Sequence, residues 1–245
     1  MNRLYSDLAK VYEAMYATFI DYKGEYEFYS EVLKKYNKKS LLEIGSGTGN
    51  LTTYFKKNGF EYLGFDLNEE MLEIAKIKNP DCIYIKGDMR SFKLEKPVES
   101  IIMTGRTISY LLCNQDVDST LKSIHNNLEK GGVFCFDFID ANKFIPEISE
   151  GKEITHEASY DNMYYVRKSK WNLNLKQGMD FIWESNYYKK EGKKLIEIGK
   201  DNSIIRTFTI NEIEIFLQIN NFEIRKIIKK NSYAFPTYAI IALKK

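Results

Sequence analysis

The chain has 245 residues, 36 basic against 34 acidic side chains and a formal net charge of +2, a length that suits one α/β domain with an insertion and a core large enough to fold without staples. The near balance of charge leaves no electrostatic footprint for nucleic acid, and Lys34, Lys35, Lys38 and Lys39 read as solvated helix surface. No apolar run approaches the ~18 residues of a membrane span, and MNRLYSDLAK at the start lacks the apolar centre of a signal peptide.

The first predicted element is a helix in which Tyr5, Leu8, Tyr12, Met15, Tyr16 and Phe19 recur at helical spacing. Most of that stripe reads as packing, within a helical cap over residues 1–36. Ser40 to Asn50, SLLEIGSGTGN, then reads as a buried strand feeding a ligand loop. Leu41, Leu42 and Ile44 suit a parallel strand, and Gly45, Gly47 and Gly49 let the backbone turn sharply and approach a ligand. A dinucleotide fingerprint G-x-G-x-x-G/A would need a small residue where this chain has Asn50.

A helix over Asn50 to Asn58, carrying Leu51, Tyr54 and Phe55 and stopping at Gly59, precedes a second strand, Glu61 to Phe65, which ends in Asp66. That carboxylate either accepts from both ribose hydroxyls of a nucleoside or caps the helix that starts near Glu69. Asn68 to Lys78 presents Met71, Ile74 and Ala75 to the sheet, and Asn79 and Pro80 end it. The third strand, Cys82 to Lys86, runs into Gly87, Asp88 and Met89, where Asp88 is either a ligand contact or a turn residue. Val98 to Thr104 is the fourth strand. A helix over Val117 to Glu129 buries Leu121, Ile124 and Leu128, closes at Gly131 and Gly132 and leads into a fifth strand, Val133 to Phe138. His125, beside that stripe, reads as a packing residue.

Between Glu153 and Arg206 the expected helical crossover gives way to β-structure. Met163 to Leu173, Met179 to Lys189 and Lys194 to Ile198 alternate polar and apolar residues, with turns at Lys176 to Gly178 and Glu191 to Gly192. Placed after the fifth strand, such an antiparallel sheet stands over the carboxyl edge of the main sheet, where ligands bind in open α/β folds. It is either a substrate roof, with Trp171, Trp183 or nearby tyrosines in its lining, or a dimerisation sheet that would make the protein a homodimer. Thr209 to Asn220 opens with the capping-box pattern Thr209 and Glu212 and turns Ile213, Phe216 and Leu217 inward, before strands at Phe222 to Ile228 and Pro236 to Leu243. Cys82, Cys113 and Cys135 form no C-x-x-C pair and point to a reducing, cytoplasmic setting. The two histidines, His125 and His156, belong to no ligand cluster, so no metal is expected.

Glu43 to Gly49, acid-x-G-x-G-x-G, together with Asp66 one strand later and G-D-M at Gly87 to Met89, resembles the motif series of the class I S-adenosylmethionine-dependent methyltransferases. The resemblance implies a doubly wound, seven-stranded, mostly parallel α/β sheet whose seventh strand is antiparallel, here with the inserted antiparallel sheet. It also implies that Asp88 accepts from the adenine amino group while Met89 packs on the ring and donates its N–H. The implied donor-binding set is Tyr22, Glu43, Gly45, Ser46, Gly47, Gly49, Asp66, Leu67, Asp88, Met89 and Thr104. YSDLAKVYEAMY followed by DYKGEY is similar to the start of bacterial amino-sugar N,N-dimethyltransferases and relatives of glycine N-methyltransferase, in which this helix closes over the cofactor. That places Tyr12 and Tyr22 near the sulfonium or the acceptor, where a phenol ring favours a cation and its hydroxyl can orient an amine or alcohol.

GRTISYLL, Gly105 to Leu112, stands where the amino-sugar enzymes have S-S-I-G-Y-L: Tyr110 and Leu111 match, Arg106 and Ser109 do not. Arg106 would either hold a carboxylate or phosphate of the acceptor or anchor the loop by a salt bridge. The absence of an N-P-P-Y-like motif there argues against methylation of bases or glutamine. The expected activity is methyl transfer to a nitrogen or oxygen of a small-molecule acceptor by direct in-line displacement, with Tyr12, Tyr110 and Arg106 as the catalytic candidates and no metal. His156 and the tyrosines are the candidate bases. The other readings are a nucleotide-dependent dehydrogenase, which NADH binding would reveal, and a non-catalytic S-adenosylmethionine-binding module.

Overall fold

The computed structural model describes residues 9–148, 153–174, 179–230 and 235–245. Its centre is a seven-stranded sheet made of β1 (Ser40–Ile44), β2 (Glu61–Asp66), β3 (Ile83–Lys86), β4 (Val98–Met103), β5 (Leu128–Ile139), β10 (Phe222–Lys230) and β11 (Thr237–Lys244), in the order β10-β11-β5-β4-β1-β2-β3. β1 runs parallel to β2 and β4, and β5 parallel to β4, while β11 is antiparallel to both β5 and β10. This is the predicted sheet, with its antiparallel strand where expected.

Alternation along the strands sorts the core into two layers. Leu42, Ile44, Ile101, Met103, Phe134 and Phe136 pack against α5 (Asn114–Asn127) and α7 (Ile210–Ile219). On the opposite face Leu41, Ile102, Val133 and Cys135 meet α2 (Tyr22–Lys35) and α3 (Asn50–Lys57). Helix α4 (Glu69–Lys78) buries Met71, Leu72 and Ala75, and its N-cap is Asn68, whose side chain accepts from the Met71 amide. Asp66 is therefore not the cap. Thr209 and Glu212 form the expected capping box of α7.

Several boundaries differ from the sequence reading. Leu128 is buried, but as the first residue of β5 rather than inside a helix running to Glu129, and the Gly131–Gly132 pair lies inside that strand, with Gly131 at φ 69°. A register shift between Val98 and Ser100 on the neighbouring strand absorbs the irregularity. A short helix, α6 (Ala141–Ile148), persists before the insertion.

The insertion is a four-stranded antiparallel sheet, β6 (Glu153–Tyr160), β7 (Met163–Asn174), β8 (Asp180–Glu191) and β9 (Lys194–Arg206), in chain order. The Lys176 to Gly178 turn lies outside the described residues, as do Tyr5 and Leu8. Trp171, Phe181 and Ile205 join Ile139, Phe144 and Phe235 in a core that seats this sheet on α6 and the end of β5. Helix α1 (Ala9–Tyr16) lies against the insertion, Val11 on Tyr187 and Met15 and Tyr16 on Ala158.

Candidate active site

The loop after β1 turns under the end of β2. The amides of Gly45 and Ser46 both donate to the Phe65 carbonyl, at 2.8 and 3.1 Å, and the Gly47 amide donates to Asp66 Oδ2 at 2.8 Å. Gly45, Gly47 and Gly49 all have positive φ, which L side chains resist. A Cβ on Gly45 would fall 2.4 Å from Thr107 Oγ1, whereas one on Gly47 would meet nothing within 4 Å. The first glycine is thus required by packing, and the second faces open space beside the Asp66 carboxylate.

Asp66 Oδ1 accepts from the Asn68 amide at 2.9 Å. Burial raises its pKa, while the Asn68 and Gly47 amides oppose the rise. Leu67 is 67% exposed and apolar, a surface for a flat ring beside that acid. Asp88 holds the guanidinium of Arg90, with Arg90 Nη2 2.6 Å from Oδ2, and this pairing lowers the Asp88 pKa. Met89 packs on the core next to Phe65 and Phe92.

Glu43 is buried at the end of β1. It accepts from the Tyr62 hydroxyl at 2.5 Å and from Thr104 Oγ1 at 2.9 Å, and burial outweighs both in pushing its pKa up to about 7. It ties the glycine loop to the end of β4. Ser46 is buried in the same loop, and Tyr22 opens α2, partly buried against the α2–α3 layer.

Beyond β4, Thr104 leads into Gly105 and Arg106, both left-handed at φ 63° and 61°, and a 3₁₀ turn over Thr107–Tyr110. This segment lines a cavity of about 50 Å³ together with Tyr12 and Tyr16 of α1, Ile139 of β5, Trp183 of β8, Ile205 of β9 and Phe235. Tyr12, Arg106 and Tyr110 are therefore brought together from two distant segments. Tyr12 stacks on Tyr16 with centroids 3.9 Å apart, and the Arg106 guanidinium lies 5.1 Å from the centre of the Phe235 ring. Of the two tryptophans only Trp183 reaches the cavity; Trp171 is in the core below the insertion. His156 is not in the lining but stacks on Phe19 at 4.2 Å, and burial, with Arg167 nearby, lowers its pKa. Phe19 in turn meets Tyr16, so two rings separate the imidazole from the cavity.

A charge cluster that the sequence does not announce lies beneath Arg106. Asp137 of β5 is buried, its Oδ1 accepting the Arg106 amide at 2.7 Å and its Oδ2 meeting Lys230 Nζ at 2.9 Å. Lys230, at the end of β10, also binds Glu25 of α2 at 2.5 Å. Burial alone would lower the Lys230 pKa, but the two carboxylates hold it above the ordinary lysine value.

Residues 41–132 match a family described as "Methyltransferase domain". A dTDP-3-amino-3,4,6-trideoxy-alpha-D-glucopyranose N,N-dimethyltransferase of Streptomyces venezuelae is 29% identical over 130 residues, covering 52% of this chain and 55% of the relative, so the chain spans about half of that relative's length. Among solved structures, an S-adenosylmethionine-dependent methyltransferase from Clostridium acetobutylicum superposes with a TM-score of 0.78 at 18% identity, over 98% of both chains. An S-adenosylmethionine-bound amino pentose methyltransferase from Micromonospora echinaspora gives 0.78 at 19% identity, over 96% of this chain and 97% of its own. The matched residues are those that form the Gly45–Gly49 loop and carry Asp66 and Asp88, and they stand on a sheet with this strand order; residues 41–132 are a methyltransferase domain, and the chain has the fold of S-adenosylmethionine-dependent methyltransferases.

Proposed function

We propose that this chain transfers a methyl group from S-adenosylmethionine to a nitrogen or oxygen of a small-molecule acceptor held between α1, the Arg106 turn and β8. The observation that carries this reading is the shared wall between the two sites. Thr104 bonds Glu43 of the donor loop, Thr107 packs on Gly45, and Gly105 and Arg106, between those two threonines, line the cavity. An acceptor there lies next to a donor in the glycine loop.

The residues present fit that donor. Gly47 leaves room at the loop, Asp66 keeps lone pairs free for ribose hydroxyls, and Leu67 and Met89 offer apolar surface for adenine. When bound, S-adenosylmethionine supplies a methyl carbon already activated by a positively charged sulfur, open to in-line displacement. The chain's own part is positioning and exclusion of water, which supply most of the acceleration in such a reaction. Tyr12 and Tyr110 supply hydroxyls and ring faces to orient an amine or alcohol, and Arg106 holds the acceptor's far end.

The inserted sheet serves as the substrate roof. Trp183 and Ile205 face the cavity, while the outer surface carries polar groups such as the Lys170–Glu184 ion pair. Among the described residues no helix is long and apolar enough to cross a membrane. Cys82, Cys113 and Cys135 are all free thiols, in keeping with a reducing, cytoplasmic setting.

The reading is tested by calorimetry with S-adenosylmethionine and S-adenosylhomocysteine, with NADH as control, on wild type and Asp66→Ala. Binding of both sulfur nucleotides, weakened in the variant, is expected, followed by S-adenosylhomocysteine release in a screen of amines, amino sugars and small acids. Folded protein that binds neither would overturn it.

A further inference from the structure

Among the described residues the cavity over Arg106 is lined by hydrogen-bond donors and apolar side chains and by no carboxylate. Ser109 is 1% exposed, and its hydroxyl, like the buried indole N–H of Trp183, has no hydrogen-bond partner among the described residues. Buried polar groups are almost always paired, so two unpaired ones on one small cavity call for a ligand that accepts. Arg106 adds a guanidinium that is itself almost entirely buried.

The backbone at Arg106 points the same way. Five non-glycine residues among those described have positive φ, and the other four are Asn or Asp, which tolerate that region. Arg106 is the exception. A residue is held in such a conformation only where its surroundings over-determine it, and these outliers gather at ligand sites. Here the surroundings are Asp137, which accepts the Arg106 amide at 2.7 Å, and Lys230 and Glu25, which lock Asp137 in turn.

Behind the wall stands a second guanidinium. Arg167 of β7 is 1% exposed and lies 4.7 Å from the ring centre of Trp183 and 5.2 Å from that of Tyr16, both cavity residues. Its Nε and Nη2 reach the neutral Ser185 hydroxyl and its side chain also bonds Tyr16, while Nη1 has no partner among the described residues. Its charge adds to the positive potential at the cavity. At ~10–15 Å³ of probe-occupied volume for each water-sized group, the cavity of about 50 Å³ admits roughly three to five heavy atoms, the size of a carboxylate or phosphate rather than of a sugar ring.

We infer that this cavity is an oxyanion subsite, in which a carboxylate or phosphate carried by the acceptor is held by the Arg106 guanidinium, Trp183 Nε1 and Ser109 Oγ, with Asp137 and Lys230 as positioning residues. The inference rests on the reading of this cavity as the acceptor site. It narrows the acceptor to an anionic small molecule whose methylated atom lies toward the Gly45 loop.

Trp183 reports on the site directly. The chain has two tryptophans, so in Trp171→Phe protein all indole emission comes from Trp183. Full-length protein is titrated with acetate and with inorganic phosphate, against sodium chloride at matched ionic strength, with and without S-adenosylhomocysteine. A saturable emission change with at least one oxyanion and none with chloride is expected, weakened at least tenfold by Arg106→Met and less by Arg106→Lys. The acetate and phosphate arms show which group the subsite takes. Asp137→Asn should weaken the oxyanion several-fold while leaving S-adenosylhomocysteine affinity within twofold, a separation that general loosening of the fold would not give. Arg106→Gly guards against a folding artefact: it relieves the left-handed strain, so the melting temperature should hold or rise while the oxyanion response is lost. No saturable response, or equal responses in wild type and Arg106→Met, would overturn the subsite. If S-adenosylhomocysteine calorimetry also fails, the methyltransferase reading fails with it; if it succeeds, the subsite alone is refuted.

Discussion

Glu43 offers a test of the electrostatics at the donor loop that needs no substrate. Its carboxyl is fully buried between Tyr62 and Thr104, and burial raises its pKa from 4.5 to about 7. The unfolded chain then releases this proton near 4.5, and the folded chain retains it until about 7. Between those values the native state binds the extra proton, so stability from this group is fully present below about 4.5 and is lost as pH rises through 7. The gap between 4.5 and about 7, at ~1.4 kcal/mol per pH unit, amounts to about 3 kcal/mol. Glu43→Gln removes the titration while keeping the shape of the protonated acid, and the two hydroxyls can rotate to accept from its amide. Urea unfolding followed by circular dichroism at pH 5 and pH 8 should find wild type and variant within about 1 kcal/mol at pH 5, the usual net value of one hydrogen bond. At pH 8 the variant should be the more stable, by up to about 3 kcal/mol. A variant that loses more stability at pH 8 than at pH 5 would show that the ionised carboxylate supports the fold, and would refute the argument that burial dominates.

Three further substitutions test separate parts of the molecule. Asp66→Ala removes the group expected to accept from the ribose; with hydrogen bonds to a charged group at ~1.5–3 kcal/mol each, two of them correspond to a loss of at least ~100-fold in S-adenosylhomocysteine affinity by calorimetry, and a loss under fivefold would reduce Asp66 to an anchor for the Gly47 amide. Lys230→Met strands the Asp137 and Glu25 carboxylates in a buried place and should cost about 3–5 kcal/mol in chemical denaturation; adding Asp137→Asn and Glu25→Gln should recover most of that loss, and no recovery would mean that packing rather than charge is at stake. Thr209→Ala breaks the capping box of α7 at a cost of about 1 kcal/mol, read as a fall in melting temperature of about 2–4 °C, and Thr209→Ser should restore it.

What was legible in the chain was what is local. The Gly45–Gly49 loop, Asp66 at the end of a strand and the Thr209–Glu212 box each signal themselves within a few residues, and each stands where expected. Helix α5 starts at Asn114, ahead of the predicted Val117, because its N-cap is Cys113, whose side chain makes no capping bond and so gives no signal. Strand β6 escaped notice because it is an edge strand with most residues exposed or half-exposed, which blurs the two-residue alternation. Strand β9 continues past the predicted end at Ile198 through Gly199, Lys200, Asp201, Asn202 and Ser203, a run without apolar alternation. A register shift between Tyr187 and Tyr188 on β8 absorbs it and lets pairing continue to Arg206. The Glu25–Lys230–Asp137 cluster had no local signature at all. Each member alone reads as a surface charge, and only the fold brings α2, β5 and β10 to one point.

The same contrast explains where this chain's individuality lies. The proposed donor side is built from segments close in sequence, Glu43 to Met89, inside the stretch that matches the methyltransferase domain. The proposed acceptor side is assembled from α1, the turn after β4, β8, β9 and Phe235, spread over almost the whole length. Similarity of 29% over 130 residues to an amino-sugar enzyme therefore speaks to the donor far more than to the acceptor, whose chemistry has to be read from the cavity itself. There Lys230 pairs both Asp137 and the half-buried Glu25, and Asp137 also takes the Arg106 amide, so the fold holds Arg106 in its left-handed turn without burying an unpaired carboxylate. Asp137 has one oxygen on the turn and one on the lysine. On the proposed function, a change at Asp137 is thus expected to be felt in acceptor recognition and in stability together, whereas Asp66, outside the cluster, is expected to separate donor binding from both.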